Sequence, residues 1–235
     1  MTNILKVVMA TSCLAVLTSF LIEKPKKLFL LGDSISLQYG RDLQAFLKDR
    51  YVIERKTGDS IAFTNLDIPV GSNGGDSRMV LKYLRMQVDD PAFKPDLFML
   101  NCGLHDVKRD PKTSKIAVEE TDYRKNLEQI YTLVSQKKIP MIWIRTTGII
   151  DSIHRKNKGF GRFIKDINRY NEIADEVFSA HHIPEIDLYS FTEMQGINRF
   201  VDHAHYTPEV RKLQAAYIAG FLNLWSQNKL QTNKK

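Results

Sequence analysis

Cysteine is scarce in this 235-residue sequence, which holds only Cys13 and Cys102. Cys13 lies inside an apolar N-terminal run, so removal of that run would leave Cys102 alone and no internal disulfide could form. The sequence also lacks clustered glycine or proline, visible repeats and low-complexity linkers, which excludes a repeat array. We therefore expect one domain with one sizeable core.

A strong charge imbalance is also lacking. The formal net charge is +7, with 34 lysine and arginine residues against 27 aspartate and glutamate residues. This balance can favour a polyanionic partner, but the basic residues are spread along the chain among acidic ones. No zinc-finger, helix-turn-helix or RNA-binding signature accompanies them, so we expect no nucleic-acid partner.

A long uncharged, mostly apolar run extends from Val7 to Ile22 near the N-terminus. It is near the upper end for the core of a signal peptide and slightly short for a membrane-spanning helix of about 20 residues. We expect export, with residues 1–26 a signal peptide or, because no Ala-x-Ala site follows, an uncleaved anchor. A buried or disordered N-terminal helix is the alternative. The folded domain would span 27–228, followed by a polar tail over 229–235.

Short apolar runs alternate with longer segments of helical period along the rest of the chain. This order predicts a three-layer α/β fold with a mostly parallel, five-stranded sheet in the middle. The predicted strands are 27–32, 51–56, 96–101, 140–147 and 184–189, and the predicted helices are 36–49, 76–88, 119–137, 161–181 and 207–227.

Polar residues and glycines stand at four loops that the predicted fold brings to one edge of the sheet. Ligands of such sheets bind beyond the carboxyl ends of the strands, so these loops are the candidate site. The loops carry Gly32, Asp33 and Ser34 after the first strand, Gly75 before the second major helix, Gly103, His105 and Asp106 after the third strand, and Asp202 and His205 before the last helix.

Ser34 admits two interpretations. A serine where a helix begins is often a cap, since its side chain can accept a hydrogen bond from a free N–H. A nucleophilic serine needs a base and a residue that orients the base. Asp202 and His205 are three residues apart, so the carboxylate can reach one imidazole nitrogen while the other faces the cleft. We favour the nucleophile, and we expect His203 to be an exposed loop residue.

The ordered set of motifs resembles the SGNH (GDSL) hydrolases, which are serine esterases and lipases. The resemblance extends from Leu28 to about Leu224. It implies a flavodoxin-like α/β/α fold, with Ser34 as nucleophile and Asp202 and His205 as the acid and base of the triad. The folded domain would then be a hydrolase domain that needs no cofactor and no metal.

The resemblance also implies an oxyanion hole, formed by the backbone N–H groups of Ser34 and Gly75. One motif departs from the family: the chain reads GLHD at 103–106 where Gly-x-Asn-Asp is usual. An imidazole N–H of His105 can donate the same hydrogen bond, which would add a pH dependence, and Asn101 is a second candidate donor. The residues with supporting roles are Asp33, which would accept backbone N–H bonds, Asn101 and Asp106.

The predicted activity is the removal of small acyl groups through an acyl-enzyme, with O-acetyl groups of a carbohydrate as the expected substrate. A lysophospholipase or a short-chain lipid or thioester acylhydrolase on the same triad is an alternative. An alternative of another class is a metal-dependent phosphoesterase. The sequences GD, GLHD and HAH of this chain loosely resemble motifs of that class. That enzyme would use His105, Asp106, His203 and His205, but the opening Asp-x-His ligand pair is absent.

A basic segment follows the fourth predicted strand. Its sequence, DSIHRKNKGFGRF, concentrates four cations near a strand exit. One hypothesis is that this mobile loop contacts an anionic glycan or lipid; the other interpretation, which we favour, is a solvated loop that contacts nothing. The four cations are Arg155, Lys156, Lys158 and Arg162.

Overall fold

The structure is a computed structural model that describes residues 24–58, 61–151 and 159–232. Its centre is a single five-stranded sheet, every paired strand of which is parallel. The spatial order is β2-β1-β3-β4-β5. The strands are β1 (Lys26–Leu31), β2 (Tyr51–Arg55), β3 (Leu97–Leu100), β4 (Met141–Ile144) and β5 (Glu185–Ile186).

Helices cover both faces of this sheet. The connection from β1 to β2 runs one way across the sheet and the later connections run the other way, so right-handed crossovers place their helices on opposite faces. The helices are α1 (Ser34–Leu47), α2 (Ile61–Thr64), α3 (Ser77–Val88), α4 (Glu120–Gln136), α5 (Ile164–Ala180), α6 (Leu188–Glu193) and α7 (Pro208–Thr232), with a 3-10 turn at Ile197–Arg199. Helix α1 packs against α7, whereas α3, α4 and α5 pack side by side. The predicted three-layer α/β fold is confirmed.

The central strands are buried along their length because helices lie on both sides of them. All four residues of β3 and all four of β4 are buried. Phe29 and Phe98 are register partners in β1 and β3, and their rings stack with centroids 6.2 Å apart. Such two-sided burial explains why these strands read as continuous apolar runs rather than as alternating ones.

The strand order changes direction between β1 and β3: the connection from β1 runs towards β2 on one side, and the later connections run towards β4 and β5 on the other. This change positions the site. Neighbouring strands whose connections leave in opposite directions open a crevice at their carboxyl ends. The turn after β1 and the loop after β3 both face this crevice. These are the segments that carry Ser34 and His105.

The structure differs from the prediction at the fifth strand, at two short helices and at the end of the last helix. The fifth strand is only two residues long, because Asp187 accepts the backbone N–H of Ser190 at 3.0 Å and begins α6 there. Helices α2 and α6 are short and were not predicted. Helix α7 continues to Thr232, beyond the predicted end at 227, since residues 228–232 contain no glycine or proline that would end it. The predicted polar tail therefore begins within a helix.

The predicted signal peptide or anchor falls on residues 1–26, of which 1–23 lie outside the described residues. Export therefore stays a prediction. Across the described ranges, no helix combines the length and apolar character that crossing a membrane requires.

Candidate active site

Two adjacent residues in the turn after β1 have different roles. Asp33 caps α1, since its Oδ1 accepts the backbone N–H of Ile35 at 2.9 Å. Ser34 is the first residue of α1, so its own N–H has no carbonyl one turn earlier in the helix. The aspartate therefore caps the helix, and the hydroxyl of Ser34 and the N–H of Ser34 are both left for other partners.

Ser34, His205 and Asp202 form a continuous hydrogen-bonded chain. His205 Nε2 lies 3.0 Å from Ser34 Oγ, and His205 Nδ1 lies 2.7 Å from Asp202 Oδ2. A carboxylate can only accept, so the proton belongs on Nδ1, and Nε2 is left to accept the serine hydroxyl. The other oxygen of Asp202 accepts the backbone N–H groups of Ala204 and His205, each at 2.8 Å.

The environment of Asp202 favours its ionised form. Partial burial alone would raise the pKa of this carboxyl. The hydrogen bonds from the His205 side chain and from two backbone N–H groups outweigh burial and hold the pKa well below its usual range. Asp202 is therefore a permanent anion beside the imidazole.

The carboxyl of Asp33 experiences the opposite balance. Burial raises the pKa of Asp33 to about 6, although the N–H of Ile35 and the positive charge of Arg162 act against this rise. Its second oxygen, Oδ2, is buried with no hydrogen-bond partner among the described residues. Asp33 thus supports the turn through one oxygen, as predicted for a residue that accepts a backbone N–H.

His105, in the loop after β3, is buried with free ring nitrogens. Its side chain is 3% exposed, and neither Nδ1 nor Nε2 has a hydrogen-bond partner in the described part of the chain. Burial, together with the charges of Arg162 and Lys108, lowers the pKa of His105 well below its usual value. His105 is therefore neutral near pH 7, and the pH dependence predicted for it moves to more acidic conditions.

Gly75 departs from its prediction in one respect. Its φ of 75° lies in the left-handed region that favours glycine. Its N–H was predicted to donate to the oxyanion, but in this structure it donates to Asn73 Oδ1 at 2.9 Å, because the side chain of Asn73 folds back on the same turn. The neighbouring N–H of Gly74 donates to the carbonyl of Gly32 at 2.8 Å and holds this loop against the Ser34 turn.

Asn101 is committed to the sheet. Its Nδ2 donates to the carbonyl of Ile144 at 3.0 Å, and its Oδ1 has no partner among the described residues. This bond uses one of the two amide hydrogens, so the role of Asn101 as a second oxyanion donor stays a prediction. The same bond joins the ends of β3 and β4.

Asp106 joins the loop after β3 to the start of α3. Both of its oxygens face the backbone N–H of Ser77, at 2.9 and 3.1 Å. Burial raises the pKa of Asp106 to about 7, although hydrogen bonds from Ser77 act in the other direction. The residue thus supports the loop that carries His105, at the helix that follows Gly75.

The prediction for His203 is wrong. Its side chain is 1% exposed, with Nε2 3.3 Å from Asp67 Oδ1 and Nδ1 3.5 Å from Asp202 Oδ1. The loop turns inward here because the carbonyl of His203 accepts the N–H of Ile150 at 2.9 Å. Asp67 was not singled out in the sequence, since it lies in a loop with no recognisable motif.

Comparison with known proteins identifies the family. The model of the GDSL-like lipase/acylhydrolase family matches residues 30–213, which include all four loops of the site. The chain belongs to this family. It is a carboxylic ester hydrolase.

Solved structures similar to this GDSL acylhydrolase share its fold. A lipase/acylhydrolase from Enterococcus faecalis has a TM-score of 0.63 at 20% identity, with 84% of this chain and 95% of that chain covered. A GDSL-like lipase from Bacteroides thetaiotaomicron gives 0.59 at 19% identity, with 84% and 88% covered. An acetylxylan esterase from Geobacillus stearothermophilus gives 0.60 at 16% identity, with 84% and 94% covered. No curated protein matched the sequence.

Two residues of the phosphoesterase alternative, Asp106 and His205, are engaged elsewhere in this acylhydrolase. Asp106 faces the N–H of Ser77, and both ring nitrogens of His205 lie within the Ser34–Asp202 chain. Within 24–58, 61–151 and 159–232, no group of three or more His, Cys, Asp or Glu side chains is arranged to hold a metal ion. The family match supports ester hydrolysis instead.

The predicted basic loop is only partly described. Arg155, Lys156 and Lys158 lie outside the described residues. Arg162 was predicted in the same mobile loop, but its side chain is 2% exposed, because it packs inward toward the carboxylates of the site. Its positive charge acts on Asp33, Asp67 and Asp202. For Arg162 the prediction of an exposed, mobile cation is therefore wrong.

Proposed function

We propose that this enzyme hydrolyses esters through a covalent acyl-serine and that its substrate is an O-acetylated carbohydrate. One observation carries the mechanism: Ser34 Oγ, His205 and Asp202 are connected by contacts of 3.0 and 2.7 Å. This is the arrangement in which a serine loses its proton to an imidazole that a carboxylate orients.

The first half of the reaction acylates Ser34. Ser34 Oγ attacks the ester carbonyl while His205 Nε2 takes the hydroxyl proton, and ionised Asp202 stabilises the resulting imidazolium. When the tetrahedral intermediate collapses, the C–O bond to the alcohol breaks. His205 gives its proton to the departing alcohol oxygen, and the acyl group stays on Ser34.

The oxyanion of that intermediate needs hydrogen-bond donors. The N–H of Ser34 is one, because the first N–H of a helix has no intrahelical acceptor. A ring N–H of His105 is the second, since that ring is neutral and both of its nitrogens lack partners among the described residues. The N–H of Gly75 is the third, and it must exchange its bond with Asn73 Oδ1 for the oxyanion.

The second half of the reaction repeats these steps with water. Water attacks the acyl carbonyl, His205 again takes the proton, and collapse breaks the bond between the acyl carbon and Ser34 Oγ. The carboxylic acid leaves, and Ser34 regains its proton from His205.

The carbohydrate substrate rests on similarity and on the burial of the catalytic side chains. Two proteins among the similar solved structures are described as acetylxylan esterases. Ser34 is 2% exposed and His205 3% exposed, which suits a small acyl group better than a long chain.

A lipid ester is the second candidate because apolar side chains are exposed beside the site. Ile68 is 42% exposed and follows Asp67, the residue that contacts His203. Ile61 and Phe63 of α2, in the same segment, are 48% and 58% exposed. These exposed apolar side chains would be available to contact an acyl chain.

The experiment compares the full-length protein with Ser34→Ala on p-nitrophenyl acetate and on acetylated xylo-oligosaccharides, each with and without a chelator. We expect Ser34→Ala to abolish both activities and the chelator to change neither. A Ser34→Ala protein that remains active would overturn the serine mechanism. A series of p-nitrophenyl esters from two to twelve carbons then separates the substrates, since activity that rises with chain length would favour the lipid ester.

A further inference from the structure

A cation from the end of β2 lies against the helix that carries Ser34. Arg55 is the last residue of β2, and its Nη2 donates to the carbonyl of Ser36 at 2.9 Å, in the first turn of α1. Its Nη1 lies 3.5 Å from the hydroxyl oxygen of the same serine. The guanidinium therefore joins the end of β2 to the first turn of α1.

Ser36 connects this contact to the residue on the other side of Ser34. Its side chain is buried, and its Oγ donates to the carbonyl of Asp33 at 2.7 Å. Ser34 lies between Asp33 and Ser36 in the chain, so this set of bonds holds the turn on both sides of it. Helix ends fray, and Ser34 is the first residue of α1. The direction of its Oγ toward His205 therefore depends on what holds this turn.

Gly40 leaves the space that the guanidinium occupies. It is buried inside α1, four residues after Ser36. A Cβ at this position would lie 1.6 Å from Nη2 of Arg55 and 2.6 Å from its Cζ. Glycine inside a helix is unfavourable relative to alanine. The chain therefore has a weaker helix former at the one position of α1 where a side chain would displace this arginine.

No carboxylate neutralises Arg55 in the described part of the chain. Burial lowers the pKa of Arg55, and the only described group that acts in the other direction is the hydroxyl of Tyr39. Removing a cation from water without a counter-ion is unfavourable, so an apolar side chain would serve better if this position only filled space. The bonds to Ser36 are therefore the feature that distinguishes arginine here.

We propose that Arg55 is a positioning residue for Ser34, which acts through Ser36 and keeps the turn 33–36 in the conformation that directs Ser34 Oγ at His205 Nε2. This inference rests on the proposed serine mechanism. Arg55 would act on the geometry of attack rather than on the binding of substrate. Its loss should therefore lower kcat and leave KM nearly unchanged.

The test removes the contact from each of its two sides in the full-length protein. Arg55→Ala removes the guanidinium. Gly40→Ala keeps Arg55 but displaces it, which is easy because the clash involves the far end of a flexible side chain. Alanine also favours the helix, so Gly40→Ala should remain folded. Urea denaturation checks the folding of both variants.

Each variant has a matched control. Arg50→Ala removes an exposed arginine directly before β2, at the amino end of the sheet, where it donates to Asn223 Oδ1 at 2.5 Å. Gly220→Ala makes the same change as Gly40→Ala inside α7, where nothing lies within 4 Å of an added Cβ. Both controls should have the kcat of wild type on p-nitrophenyl acetate.

We expect Arg55→Ala and Gly40→Ala each to lower kcat on p-nitrophenyl acetate about 10²-fold, since a misplacement of about 1 Å has an effect of this size. A wild-type kcat in either variant, once it is shown to be folded, would overturn the proposal.

A fluorophosphonate tests the attack by Ser34 alone, because its phosphorus bonds to Ser34 Oγ as fluoride leaves and His205 takes the hydroxyl proton. Labelling of Arg55→Ala and Gly40→Ala should slow by about the same factor as kcat. Labelling at the wild-type rate would contradict the proposal, since the nucleophile would then be correctly placed without the contact.

The two proposals fail in different measurements. An error in the proposed function shows as p-nitrophenyl acetate hydrolysis that survives Ser34→Ala. An error in the role of Arg55 shows as unchanged kcat in Arg55→Ala and Gly40→Ala while Ser34→Ala is inactive.

Discussion

His205 Nε2 lies 3.0 Å from Ser34 Oγ although 171 positions separate the two residues in the chain. The fold creates this proximity in two steps. Parallel strands bring the turn after β1 to the carboxyl edge of the sheet, and α7 packs against α1, so the loop before α7 ends above the same edge. The contact therefore depends on how α1 and α7 pack against each other and not on local sequence.

Asp202→Asn should reduce kcat about 10⁴-fold with little change in KM, because an amide favours the wrong tautomer of His205. In this chain the amide oxygen can still accept the N–H groups of Ala204 and His205, which places the amide nitrogen opposite His205 Nδ1. Steady-state kinetics on p-nitrophenyl acetate provide the measurement. Asp49→Asn, an exposed carboxylate after α1, is the matched control and should behave as wild type. Comparable losses in both variants would show that Asp202 has no specific role.

His105→Leu should reduce kcat about 10²- to 10³-fold, the usual effect of removing one oxyanion donor. His105→Asn should retain more activity, because an amide N–H can donate in its place. Burial and nearby cations lower the pKa of His105, so the imidazole is neutral throughout the neutral range. The acidic limb of the kcat/KM profile should therefore be the same for His105→Asn and wild type. A shift of that limb would mean that His105 titrates during the reaction.

Most of the fold could be predicted from the sequence because the central strands are uniformly apolar and the long helices are periodic. The positions of Ser34, Asp202 and His205 follow from the same pattern, since each stands at a strand exit or directly before a helix. Short elements such as α2 carry too few residues for a periodicity to be detectable.

Burial of polar loop residues could not be predicted in the same way. The sequence predicts that His203 and Arg162 lie on the surface, since histidine and arginine in polar segments are usually exposed. The structure buries both because Asp67, from a distant part of the chain, lies close to them; Asp202, next to His203 in sequence, also acts on both. The bond from the Gly75 N–H to Asn73 depends on a side-chain rotamer, which no sequence pattern determines.

Gly75→Ala should lower the free energy of unfolding by about 1–2 kcal/mol. Alanine there would have to adopt a φ of 75°. Its methyl group would lie 3.1 Å from the Cβ of Pro69 and 2.5 Å from the Sδ of Met79. Gly220→Ala is a control for which we expect the free energy of unfolding to change in the opposite direction. Gly220 lies inside α7 with nothing within 4 Å of an added Cβ, so the change should stabilise by about 0.5–1 kcal/mol. Urea denaturation distinguishes the two, and stabilisation by Gly75→Ala would contradict the strained turn.

Asp106→Asn should make stability less dependent on pH. Burial raises the pKa of Asp106 from 3.8 to about 7, so between these values the folded protein binds more protons than the unfolded chain. Stability therefore falls as pH rises through this window, because ionisation of a buried carboxyl is unfavourable. The buried carboxyl of Asp33, whose pKa burial raises to about 6, acts in the same direction and remains in the variant.

Urea unfolding at pH 5 and pH 8 measures this effect. Wild type should lose at least about 1 kcal/mol more than Asp106→Asn between the two conditions. The amide can still accept the Ser77 N–H through its oxygen, so the variant should fold at both pH values. Parallel losses in the two proteins would show that Asp106 is already ionised at pH 5. The bonds from Ser77 would then outweigh burial, and the loop that carries His105 would be held by a charge.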